Sequence, residues 1–104
     1  MALTREFKAT ILARAKKDKK FCAAMLSEAI TELLTGDVDA GKAMLRDYIN
    51  ATITFDVLAR FMEKNPKSIM RMLTPTGNPT SNSLLMIFHV IQKHEKVHFK
   101  IMVK

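Results

Sequence analysis

Leu3, Phe7, Ile11 and Ala15 recur every four residues, a spacing that keeps one helix face apolar and predicts an amphipathic helix over about 3–16. The run Lys16-Lys17-Asp18-Lys19-Lys20 interrupts it, and Asp18 is placed to cap a second helix by accepting from its first unpaired amides. That helix carries Phe21, Met25, Leu26, Ala29, Ile30, Leu33 and Leu34 on one broad stripe, and Gly36 supplies a left-handed stop. Asp37 and Asp39 open a third helix, with Met44, Leu45, Tyr48 and Ile49 inward, ending near Ala51. Thr54 is the N-cap expected of a fourth, whose apolar residues are Val57, Leu58, Phe61 and Met62.

Asn65-Pro66 reads as an N-cap followed by proline at the first helical position, where a missing N–H costs nothing. A short helix over 66–73 follows, with Ile69, Met72 and Leu73 spaced to face a core. Thr74-Pro75-Thr76-Gly77-Asn78-Pro79 is a dense turn signal. A sixth helix, from about Ser81 to Lys93, carries Leu84, Leu85, Ile87, Phe88, Val90 and Ile91. The period then changes to two: Val97, Phe99, Ile101 and Val103 alternate with His98, Lys100, Met102 and Lys104, predicting a terminal strand with one apolar face. A lone strand in a helical chain has no partner of its own, so three outcomes are open. It pairs with the same strand of a second subunit, with a different protein, or frays.

The expected fold is therefore all-α, five to six short helices plus one C-terminal strand pairing across a dimer. With 104 residues the chain is read as a single domain: an N-terminal helical pair over 1–35, a core over 39–93 and a terminal strand over 97–103. A hydrophobic share of 48% against 26% charged residues suits a packed globule, but a core of this size is small and dimerisation would help it. No apolar run approaches the ~20 residues of a membrane span, and the charged stretch from Met1 to Arg14 is unlike a secretory leader. One cysteine, Cys22, fits a reducing compartment, so a cytoplasmic location is expected.

The net charge of +7 is unevenly placed. Residues 1–20 hold seven Lys/Arg against two acids, whereas 21–40 hold four acids and no Lys or Arg. Residues 41–80 hold six basic residues against three acids, and 81–104 hold four lysines against one acid. A basic head, an acidic belt and a basic second half suggest two surfaces with different partners. Only +3 of the total falls in 41–80, so the charge by itself does not identify a DNA reader.

Short helix, tight turn, short helix and a longer packing helix is the layout of a helix-turn-helix. Leu58, Ala59, Met62, Ile69, Met72 and Leu73 fall where such a unit needs buried residues, with the small Ala59 where its helices cross. From Leu58 to Leu73 the pattern resembles Xre/Cro-type regulators without a gap. One departure is that those proteins often carry glycine at the turn, where Glu63 and Lys64 stand here. Gly36-Asp37-Val38-Asp39-Ala40-Gly41-Lys42, Leu45 to Thr52, Pro66 to Met72 and Gly77-Asn78-Pro79 together resemble bacterial addiction-module antidote proteins. These are similar to antitoxins of the host-inhibition-of-growth type. The likeness spans most of the chain and is most specific over 36–80. It implies a lambda-repressor-like helix-turn-helix and a cytoplasmic homodimer bound to its own double-stranded DNA operator. It also implies a small ribonuclease toxin as protein partner, and the separate basic 1–20 and acidic 28–39 surfaces point to the N-terminal helices as the place of its neutralisation.

In such a unit the start of the second helix enters the major groove. Its early residues Pro66, Lys67, Ser68, Met70 and Arg71 are the expected base-contacting set. Arg71 is suited to guanine O6 and N7, Lys67 to guanine or a phosphate, and Met70 to the groove wall. Thr54, Arg60, Lys64, Asn65, Thr74, Thr76 and Asn78 are the expected phosphate contacts.

Enzymatic readings fare badly. Cys22 lies within the apolar Phe21–Met25 stretch and reads as a buried, inert thiol. His89, His94 and His98 have poor metal-ligand spacing. Asp37-Val38-Asp39 begins like a calcium loop, but Tyr48 stands where the bidentate glutamate is required. Gly41-Lys42 lacks the upstream glycine of a phosphate loop. The eight methionines lie at core spacing. No enzyme activity, cofactor or metal is expected. Two classes remain: a dimeric DNA-binding repressor of antitoxin type, and a helical protein-interaction module that kept the fold but lost DNA binding.

Overall fold

The computed structural model describes residues 18–104, and among them the fold is all-α. Five helices follow in order: α1 Lys19–Thr35, α2 Val38–Ala51, α3 Phe55–Met62, α4 Pro66–Met72 and α5 Ser81–Glu95. The helix expected over 3–16 lies outside the described residues.

Local chemistry sets nearly every boundary. Asp18 accepts from Lys20 N and Phe21 N at 3.0 and 3.1 Å, satisfying the first amides of α1. Gly36, at φ 101°, turns the chain left-handed, and the Asp37 amide reaches back to the Glu32 carbonyl at 3.0 Å. Asp37 then caps α2 by accepting from Ala40 N at 3.2 Å, so α1 and α2 form a tight hairpin. The helices cross closely at Gly41, because a Cβ there would lie 2.5 Å from Leu33 Cγ. Thr54, Asn65 and Thr80 cap α3, α4 and α5 in the same manner.

All five helices contribute to one hydrophobic core. Leu26 and Ala29 come from α1; Leu45, Tyr48 and Ile49 from α2; Phe55, Leu58 and Ala59 from α3; Ile69 from α4; Ile87, Val90 and Ile91 from α5, with Ile53 and Leu73 from the connections. Burial of Tyr48, reinforced by the negative charge of Glu95, pushes its phenol up to about 12. An unfolded tyrosine titrates near 10, so this neutral side chain contributes stability that is complete below pH 10 and lost as pH rises through 12. Denaturant unfolding should show up to about 2–3 kcal/mol of loss across that window, and Tyr48→Phe should lack this component.

Leu34, Phe61 and Leu85, expected inward, are exposed, and so are Met70, Met86 and Met102 among the methionines expected at core spacing. On α5 the apolar set wraps more than one face, so a core on one side takes Ile87, Val90 and Ile91 and leaves Leu85 outside. Phe61 instead stacks edge-on with His94 of α5, centroids 6.2 Å apart. Leu34 lines a surface groove between α1 and the C-terminal tail. Cys22 is half-buried, and burial, then Glu95 and Asp18, push its thiol up, away from the thiolate form that reacts.

The expected strand over 97–103 has no regular secondary structure here. A strand is defined by a neighbouring strand, and no other segment of the described chain is extended beside it. Its alternation nevertheless governs the first half. Val97 and Phe99 pack on the core, with Phe99 edge-on to Phe88 at 5.8 Å and its amide donating to Gln92 Oε1 at 3.0 Å. Beyond this, Ile101 and Val103 are 75% and 90% exposed.

Candidate nucleic-acid interface

α3 and α4 are separated by three residues, Glu63, Lys64 and Asn65. The turn is built from backbone bonds. Glu63 N donates to the Arg60 carbonyl at 3.3 Å and Lys64 N to the Ala59 carbonyl at 3.0 Å, the paired closure of a left-handed helix end. Glu63 takes the left-handed position itself, at φ 55°. The glutamate that stands in place of glycine at the turn is thus a matter of conformational cost and not of geometry. Left-handed backbone costs an L-residue roughly 1–2 kcal/mol, so Glu63→Gly should raise stability by about 1 kcal/mol, allowing for the looser unfolded chain. A thermal melt should then shift upward by roughly 4–8 °C.

Asn65 Oδ1 accepts from Lys67 N at 2.8 Å, which commits the side-chain oxygen to the cap and leaves the amide nitrogen as its donor. Pro66, half-buried, opens α4. Ile69 is fully buried and anchors the helix, while Lys67, Ser68, Met70 and Arg71 form its exposed side. Ser68 and Arg71 also line an open cleft with Thr76 and Asn78 from the following loop, so four of the predicted contact residues converge there. Arg60, Lys64 and Thr54 are exposed on α3 and its ends, with the Thr54 hydroxyl accepting from Val57 N at 3.5 Å. Thr74 is half-buried, and its hydroxyl donates to the Arg71 carbonyl at 2.8 Å, spending its one proton on the end of α4.

Two residues of α2 hold this assembly in place. Lys42, only 3% exposed, donates from Nζ to the Gly77 carbonyl at 2.8 Å and to the Pro75 carbonyl at 3.5 Å. Arg46, one turn further, donates to the Leu73 carbonyl at 3.0 Å, so a cation sits at the carbonyl end of α4. Gly77 packs against that same end: a Cβ would fall 2.1 Å from the Arg71 oxygen and 2.6 Å from the Met72 oxygen. Sequence reasoning did not assign these roles. The available signal was that Lys42 falls on the inward stripe with Leu45 and Ile49.

Around the α1–α2 junction, Glu28, Glu32 and Asp37 concentrate negative charge. Desolvation, then Glu28 and Asp37, hold the Glu32 carboxyl above its usual range. Among the described residues no three His, Cys, Asp or Glu side chains are grouped to hold a metal ion, and no helix is long and apolar enough to cross a membrane. Comparison of the chain with known protein families, with curated proteins and with solved structures found no match.

Proposed function

We propose that the chain is a sequence-specific, cytoplasmic double-stranded-DNA-binding repressor of antitoxin type, acting as a homodimer with α3 and α4 as a helix-turn-helix. The observation that carries the reading is the exposed face of α4. Lys67, Ser68 and Arg71 are presented on a short helix whose opposite side is anchored by Ile69, behind a three-residue turn. That placement suits insertion into the major groove. Arg71 and Lys67 would read base edges, while Arg60, Lys64, Asn65, Thr76 and Asn78 would bond phosphates on either side.

Self-pairing of the 97–103 tail would supply the missing neighbour for its backbone and cover Ile101 and Val103 in the dimer. Regulation of its own operon and neutralisation of a small ribonuclease toxin follow from the resemblance over 36–80. The acidic surface of Glu28, Glu32 and Asp37 would suit a basic partner. The exposed apolar residues Phe61 and Leu85 favour the second reading, an interaction module without DNA binding.

The two readings separate on variants. Binding is followed on the preferred duplex from upstream of the chain's own gene and on scrambled duplexes. Arg71→Ala should cost about 1–3 kcal/mol on the preferred duplex and relax specificity at one base step. Lys64→Ala should weaken all duplexes alike. Equal affinity of wild type and Arg71→Ala for every duplex would favour the interaction module.

A further inference from the structure

On the outward side of α4, Lys67, Met70 and Arg71 stand three and four residues apart and are therefore neighbours on one surface. Met70 is the one exposed apolar side chain of this helix, at 44%. It does not serve as core filler: Met25, Met44 and Met62 pack against the core, and on α4 itself Met72 is half-buried while Met70 points away. A thioether has no N–H or O–H to offer, so Met70 is unsuited to bonding a phosphate or the polar edge of a base. In the major groove the one apolar feature of any base pair is the 5-methyl group of thymine. A flexible, unbranched side chain beside two cations is well matched to reach it.

We propose that Met70 is a specificity-determining residue that reads a thymine methyl group between the base steps contacted by Lys67 and Arg71. This rests on the DNA-binding reading above. The test uses the tightest-binding duplex from upstream of the chain's own gene, with each thymine replaced singly by deoxyuridine, which deletes the methyl group and keeps the base pair. Fluorescence anisotropy at fixed salt should reveal a thymine position at which the replacement weakens wild-type binding about fourfold, the factor expected for one buried methyl group. Met70→Ala, which keeps the wild-type circular dichroism and melt because the side chain is exposed, should bind the two duplexes equally. Met70→Leu should keep the preference. Wild-type affinity that is the same for every deoxyuridine duplex, or discrimination that survives in Met70→Ala, would overturn the assignment while leaving DNA binding intact. Failure of every duplex to bind would remove the DNA reading itself, and this assignment with it.

Discussion

Gly77→Ala is expected to lower stability by at least about 3 kcal/mol, a large part of what a chain of this size possesses. The reason is space, not backbone angle. The added methyl would meet the Arg71 and Met72 carbonyl oxygens at 2.1 and 2.6 Å, and these are main-chain atoms at the end of α4 that have no rotamer by which to retreat. The loop must move away instead, lengthening the Gly77 N to Thr74 O bond of 3.0 Å and the Lys42 Nζ to Gly77 O bond of 2.8 Å. A thermal melt should fall by roughly 12–24 °C. Gly36→Ala provides the contrast. Gly36 has open space around its missing Cβ but a φ of 101°, so only conformational cost applies, about 1–2 kcal/mol.

Lys42→Met should cost about 2–3 kcal/mol. The methionine stem fills the same buried volume, but the carbonyls of Pro75 and Gly77 lose their donor in a partly buried site. Asp39, whose carboxylate lies 3.6 Å from Nζ with its side chain 76% exposed, contributes little, and Asp39→Asn should fall within about 0.5 kcal/mol of wild type. Lys42→Arg should not restore the loss, since a planar guanidinium replaces a compact ammonium aimed at two converging oxygens. Because Lys42→Met and Gly77→Ala both disturb the bond to the Gly77 carbonyl, the double variant should lose less than the summed single effects in urea unfolding.

The helix boundaries were legible in the sequence because capping is local. Asp18, Gly36, Asp37, Thr54 and Asn65-Pro66 each act on amides or carbonyls within a few residues. The exposed side of α4 was legible for the same reason, since burying Ile69 leaves Lys67, Met70 and Arg71 outward. The supports beneath it were not. The Lys42 ammonium bonds residues 33 and 35 positions away, and nothing near Gly77 in the chain announces that the end of α4 lies against it. The tail shows the limit of periodicity. Alternation at Val97, Phe99, Ile101 and Val103 specifies which side chains share a face, but a ladder of hydrogen bonds requires a second strand. Leu34, Phe61 and Leu85 belong to apolar stripes wider than one core accepts, a width that spacing alone does not register.

The salt dependence of wild-type binding to duplexes from upstream of its own gene tests the central claim most directly. If Arg60, Lys64 and their neighbours neutralise phosphates, log K should fall linearly with log salt, by about 0.9 per phosphate contacted, with one duplex preferred over scrambled sequence throughout. A flat response, with no duplex preferred, would contradict the account and leave α3 and α4 as part of a protein-interaction module.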